Sequence, residues 1–127
     1  MLKFYKCPVC GNIAIKLTDG KAPMYCCGKQ MEEIKPNSTD GAGEKHVPVI
    51  TEETCGGARC AKVQVGSELH PMMPAHHIEW IILETNMGYS VVHLRSSDAP
   101  VAKFCLMEDE KVTCAYEFCN QHGIWQS

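Results

Sequence analysis

His70-Pro71-Met72-Met73-Pro74-Ala75-His76-His77-Ile78-Glu79-Trp80 carries three of the chain's six histidines and opens directly into an apolar run. Pro71 and Pro74 disfavour helix at the residues before them, so this stretch reads as a stiffened loop. The run that follows, Ile78 to Thr85, reads as a strand. Tyr89 to Arg95, Val101 to Leu106 and Val112 to Phe118 read as its successors, separated by turn signals at Asn86-Met87-Gly88, Ser96 to Pro100 and Glu108-Asp109-Glu110. Upstream, Ala61 to Val65 alternates as a further strand behind a hairpin turn at Cys55-Gly56-Gly57. No stretch has convincing helical periodicity. The expected fold of the larger part is therefore an all-β sandwich with hairpin connections.

Outward from the loop, two distant segments offer donors of the same kind. Glu44-Lys45-His46 ends a polar, glycine-rich stretch, Pro36 to Gly43, and Cys119-Asn120-Gln121-His122-Gly123 follows the last of these strands. A thiolate and an imidazole at C-x-x-H spacing can bind one metal from a loop. Of the neighbours His76 and His77, alternation would send one away from any shared ion. We assign His76 as the ligand and His77 to the surface. His46, His70, His76 and His122 with Cys119 then make five donors. That is one too many for tetrahedral structural zinc, and it suits a square-pyramidal iron with an open position. His93 is expected to be structural, and Trp80 and Trp125 to pack in the core or at its rim.

The amino-terminal segment has a second donor set. Cys7-Pro8-Val9-Cys10-Gly11 is a C-x-x-C knuckle, and Cys26-Cys27-Gly28 supplies two more thiols with no spacer between them. Four thiolates can close a tetrahedral site for zinc or iron. Ile13 to Leu17 alternates like a short strand, and so small a segment needs a metal for stability. The expected organisation is a metal-binding domain over residues 1–36, a linker over 37–43 and a sandwich over 44–127.

Composition narrows the function. The net charge of −3, with no long basic run, argues against a nucleic-acid surface. No apolar run approaches the roughly 18 residues that cross a bilayer, and no apolar leader is visible, so a cytoplasmic, non-membrane protein is expected. In that compartment the chain's nine cysteines should bind metal or stay reduced. Cys55 and Cys60 straddle a turn across which two side chains can face each other, and they are expected as inert reduced thiols.

Two resemblances sharpen these expectations. Tyr5-Lys6-Cys7 through Cys26-Cys27-Gly28 and Met31 resembles desulforedoxin, which implies a rubredoxin-like iron on Cys7, Cys10, Cys26 and Cys27. Glu44-Lys45-His46, His70-Pro71-Met72 with His76, Ile78-Glu79-Trp80-Ile81 and Cys119-Asn120-x-His122-Gly123 resemble superoxide reductase. With the amino-terminal cluster present, the resemblance is to the two-iron form, desulfoferrodoxin, and it spans essentially the whole chain. It implies an immunoglobulin-like catalytic sandwich, two irons per chain, a homodimer, superoxide as substrate and rubredoxin as electron donor. It also implies that Cys119 is the axial ligand, that Lys45 steers superoxide and that Glu44 ligates the ferric iron after turnover. His77 departs from the aromatic residue frequent in the family, and Cys55, Cys60, Cys105 and Cys114 lie outside its pattern.

Overall fold

A computed structural model describes all residues, 1–127, and divides the chain into two compact units, Met1–Lys35 and Pro36–Ser127. The first unit is built from very short strands: β1 (Phe4–Lys6), β2 (Ile13–Ala14), β3 (Tyr25–Cys26), β4 (Lys29–Gln30) and β5 (Glu32–Ile34). β1 is the centre of a three-stranded antiparallel sheet, order β2-β1-β5, and β3 pairs with β4 in a separate hairpin. The strand expected over Ile13 to Leu17 is confined to Ile13–Ala14, because Lys16 turns back to bond Asp19 and the Ala22 carbonyl. Only Phe4, Cys7 and Met31 are fully enclosed here. That is too little apolar burial to hold 35 residues without a cross-link.

The second unit begins with a single helical turn, α1 (Gly43–His46), and continues with seven strands: β6 (Pro48–Cys55), β7 (Ala58–Val65), β8 (Ile78–Thr85), β9 (Gly88–His93), β10 (Val101–Cys105), β11 (Val112–Cys119) and β12 (Gly123–Gln126). They form two antiparallel sheets, ordered β10-β7-β6 and β12-β11-β8-β9. The alternate residues Ala61, Val63 and Val65 of one sheet meet Ile81, Leu83 and Ala115 of the other, closed by Phe104 and Leu106. This is the expected sandwich, and the limits of β8 agree with the sequence reading to the residue.

Four features differ from expectation. The helical turn α1 is too short to show periodicity, yet it carries Glu44, Lys45 and His46. β12 has only four residues and follows the Cys119–Gly123 turn so closely that the sequence shows no break before it. Cys55 and Cys60 are bonded to each other, not reduced: the Gly56–Gly57 turn sets their Cα atoms 6.0 Å apart, within disulfide range. His93, expected to be structural, ends β9 in an exposed position. Trp80 stacks on Phe118 at 5.6 Å on the outer face of the four-stranded sheet.

Candidate metal centres

The larger site is assembled from the ends of strands. β11 and β8 keep one register from Cys114↔Glu84 to Phe118↔Trp80 and then shift, so that Cys119 faces Ile78 and Glu79 is the extra residue. Such a bulge re-aims side chains, and here both Cys119 and Ile78 turn into the core, fully buried. β11 then reverses into β12 through Gly123, at φ +80°. That tight turn returns His122 to within reach of Cys119, Sγ to Nδ1 3.7 Å. Two donors clamp the turn by its His122 carbonyl, the Trp125 indole at 3.0 Å and the Thr39 hydroxyl.

The proline-stiffened loop is a miniature hairpin, with reciprocal 3.0 Å backbone bonds between Met73 and His76. Asn120 and Gln121 donate to the Ala75 carbonyl at 3.1 and 2.7 Å, and the Asn120 side-chain oxygen accepts the His77 N–H at 2.9 Å. The two loops are thereby latched together. His46 arrives from α1 and is stacked on Trp125 at 5.0 Å.

His46, His70, His76 and His122 form a closed ring of near-perpendicular imidazoles, with neighbouring centroids 4.6 to 5.0 Å apart. Their donor nitrogens and Cys119 Sγ all lie within 4.8 Å of one another. Second partners set which nitrogen faces inward. Nδ1 of His46 is spent on the Ala42 carbonyl at 2.8 Å and Nδ1 of His70 on the Pro71 carbonyl at 2.6 Å, which leaves Nε2 of each for the centre. His70 Nε2 points at Cys119 Sγ, 3.4 Å away. Nε2 of His76 is buried with no hydrogen-bond partner at all. An orphaned buried nitrogen aimed into a cluster of soft and imidazole donors is what a transition-metal site requires. His77, its Nδ1 turned to the Met73 carbonyl, stands outside the cluster.

Burial holds the imidazoles of His46, His70 and His76 below the usual histidine range, that of His70 down to about 4. They are neutral donors at pH 7. Burial pushes the Cys119 thiol up against the pull of the Gln121 and His122 N–H groups. A cation in the centre would offset that cost and bind the thiolate.

Glu44 and Lys45 are exposed on α1, immediately before His46. The turn is pinned through its Glu44 carbonyl, which accepts the Glu68 N–H at 2.9 Å and the Ser67 hydroxyl at 3.3 Å. Gly66, at φ +77°, makes the close approach possible, since a Cβ there would sit 2.7 Å from Lys45 Cα. Sequence reasoning missed Gly66, the packing of Trp125 on His46, and Glu117. The last lies two residues before Cys119 on the inward face of β11, fully buried, with neither carboxyl oxygen bonded. Its alternation with Ala115 and Cys119 was the available signal. Burial pushes its pKa up to about 9.

In the first unit Cys7, Cys10, Cys26 and Cys27 likewise bring four sulfurs within 4.8 Å. Adjacent cysteines on an extended strand would diverge, but Cys27 adopts φ +54° and Gly28 φ +70°, which turns the second sulfur back. Cys7 Sγ accepts the N–H groups of Val9 and Cys10 at 3.4 Å. The Cys10 N–H chiefly draws the Cys7 pKa down to about 6, while Cys27, its proton shared with Cys10, is pushed up to about 12. One thiolate forms readily and its neighbours resist, a crowding of charge that a bound cation relieves.

These two donor sets match a known pattern over the whole chain. A family model for desulfoferrodoxin matches residues 38–127, and one for the desulfoferrodoxin N-terminal domain matches residues 1–34. The chain belongs to the desulfoferrodoxin family. A family member from Nitratidesulfovibrio vulgaris, named desulfoferrodoxin, is 46% identical over 125 residues, covering 98% of this chain and 94% of that one. A protein named superoxide reductase from Pyrococcus furiosus is 38% identical over 112 residues, covering 71% of this chain and 90% of its own. The crystal structure of the superoxide reductase from Treponema pallidum superposes with a TM-score of 0.79 at 35% identity, covering 100% of this chain and 98% of that one. The matches to the Nitratidesulfovibrio and Treponema proteins span both units.

Proposed function

We propose that this chain reduces superoxide, with one electron and two protons, to hydrogen peroxide at the five-donor centre. The observation that carries the reading is the ring of four imidazoles closed by one buried thiol. His46, His70, His76, His122 and Cys119 would hold an iron, and Cys7, Cys10, Cys26 and Cys27 a second one. An iron held there would supply the electron and attract the incoming anion. Uncharged imidazoles leave the positive charge there largely uncompensated, which favours an anionic substrate. Cys119, as thiolate, would donate electron density to that iron, which favours peroxide over O–O cleavage as the outcome.

Lys45 supplies local positive charge that draws superoxide to a chain of net charge −3, and it orders water for proton delivery. Glu44 would be a further ligand to the iron in its oxidised form. Rubredoxin as donor, a homodimeric assembly and a cytoplasmic role in superoxide detoxification complete the proposal. No helix is long and apolar enough to cross a membrane.

The test is rapid mixing or radiolytic generation of superoxide with the two-iron protein, following peroxide and oxygen together. Peroxide without oxygen supports the reductase, whereas oxygen released alongside it would make the chain a dismutase. Lys45→Ile should slow the bimolecular step roughly tenfold at low salt and leave the visible spectrum unchanged. An unaltered rate would remove Lys45 from the steering role.

A further inference from the structure

The outer face of the three-stranded sheet carries a row of side chains that superoxide reduction does not use. Register aligns Glu53 of β6, Cys60 of β7 and Cys105 of β10 across the sheet, and Cys55 lies diagonally from Cys60 at the hairpin end. Cys60 is 1% exposed, bonded to Cys55, and Cys105 is a free, exposed thiol. The Arg59 carbonyl accepts the Leu106 N–H at 3.0 Å, and that of Pro100 accepts the Val65 N–H at 2.9 Å. By alternation Cys60 and Cys105 are then a non-hydrogen-bonded pair, the kind whose Cα atoms stand about 4.5 Å apart with side chains closest. That spacing also lies in disulfide range. The central sulfur therefore has two cysteine neighbours, half-buried Cys55, to which it is bonded, and exposed Cys105 across the register. Glu53 Oε1 lies 3.9 and 4.0 Å from the sulfurs of Cys55 and Cys60, and Lys103 is held on the same face by a 3.1 Å ion pair to Glu53.

We propose that Cys55, Cys60 and Cys105 form a peroxide-oxidised thiol–disulfide exchange site in which Cys60 passes from Cys105 to Cys55. The Cys105 thiolate attacks one oxygen of hydrogen peroxide. The S–O bond forms, the O–O bond breaks, and the departing hydroxide takes a proton to become water. Cys60, giving its proton to Glu53, attacks the resulting sulfenic sulfur, so that the Cys60–Cys105 bond forms and a second water leaves. Cys55 then attacks Cys60, forming the Cys55–Cys60 bond and releasing Cys105 as thiolate. In sum, two thiols and one peroxide give one disulfide and two waters. The bonded Cys55–Cys60 pair beside a free Cys105 is the end state of this sequence, and an external dithiol resets it by exchange, becoming a disulfide itself. Peroxide as the oxidant rests on the superoxide-reducing reading, whose product it is. The thiol chemistry stands apart from that reading.

The test uses the full metal-loaded chain, reduced with a phosphine, freed of reductant and exposed to added hydrogen peroxide, so that it succeeds or fails independently of superoxide turnover. Trypsin cuts after Arg59, Lys62, Lys103 and Lys111, which places the three cysteines on separate peptides for mass spectrometry after alkylation. The expected product is Cys55–Cys60, with Cys60–Cys105 seen transiently. Cys55→Ser should accumulate Cys60–Cys105, and Cys105→Ser should form Cys55–Cys60 roughly tenfold more slowly, because peroxide must then meet a less accessible sulfur, half-buried Cys55 or buried Cys60. Failure of Cys55→Ser to trap Cys60–Cys105, or oxidation of Cys105→Ser at the unmodified rate, overturns the proposal. So does a reduced chain that protects these thiols by taking up added zinc.

Discussion

Glu117→Gln isolates the energetics of the buried carboxyl beside the metal-binding thiol. Glu117 is fully enclosed, neither oxygen has a partner, and burial raises its pKa from 4.5 to about 9. In the unfolded chain the same group ionises near its ordinary value. Between those two values the folded protein holds a proton that the unfolded chain has released, so stability is greatest below pH 4.5 and falls as pH rises toward 9. Each unit in that window costs about 1.4 kcal/mol, or about 4 kcal/mol between pH 5 and pH 8. Glutamine keeps the shape and removes the titration. Whatever the buried amide itself costs is the same at every pH. Urea unfolding of the metal-loaded wild type and variant across that range should show the variant gaining on the wild type by roughly this amount as pH rises. The other titrating groups are common to both chains and cancel in the difference. A difference flat to within about 0.5 kcal/mol would mean that Glu117 is solvated or partnered, and the account of this strand's interior would be wrong.

Gly66→Ala forces a Cβ against the backbone of Glu44 and Lys45 at a residue with φ +77°. A loss of about 2–4 kcal/mol with altered metal retention at the five-donor centre is expected, and a chain as stable as wild type would refute the packing. Metal affinity at that centre should fall as pH is lowered, since the Cys119 thiol must release a proton that burial favours keeping. A competition titration with a chelator at several pH values reads this directly, and a pH-independent affinity would contradict thiolate ligation. Trp125→Ala removes the ring stacked on His46 at 5.0 Å and should cost about 3 kcal/mol of stability, measured by denaturant unfolding, with looser metal binding.

What the sequence disclosed, and what it hid, follows from the range of each interaction. β8 was legible because eight residues of one apolar run sit between a proline loop and an Asn-Met-Gly turn. The donors were legible because imidazoles and thiols are few, and their spacing matches a family pattern. β6 was hidden in part by Pro48, a residue that argues against a strand interior but is harmless at a strand's first position. The Cys55–Cys60 bond was misjudged from the general redox habit of a compartment, when the deciding fact was a diagonal register that only a folded hairpin reveals. Gly66 could not be read as a site residue, since its role depends on a helical turn some twenty residues earlier reaching its Cα. Glu117 runs against the rule that carboxylates face water, and only the strand's alternation places it inside.

The two metal centres meet the same physical problem in opposite ways. In the sandwich, His46, His70 and Cys119 are buried, so each resists charge: the imidazoles stay neutral and the thiol keeps its proton. The apparatus that orients them, carbonyls on two Nδ1 atoms, the Trp125 stack and the latch from Asn120 and Gln121, is complete without the ion. The Cys119 proton is then what burial holds against an entering cation, and the fold itself fixes the donor geometry. In the amino-terminal unit the core is nearly absent and four thiols crowd together, one acidic and two of its neighbours reluctant to ionise. There the ion must supply the cohesion, and several protons must leave with its arrival. Metal removal should therefore unfold the first unit while leaving the sandwich standing, because the cation is part of the core in one and a guest of a finished framework in the other.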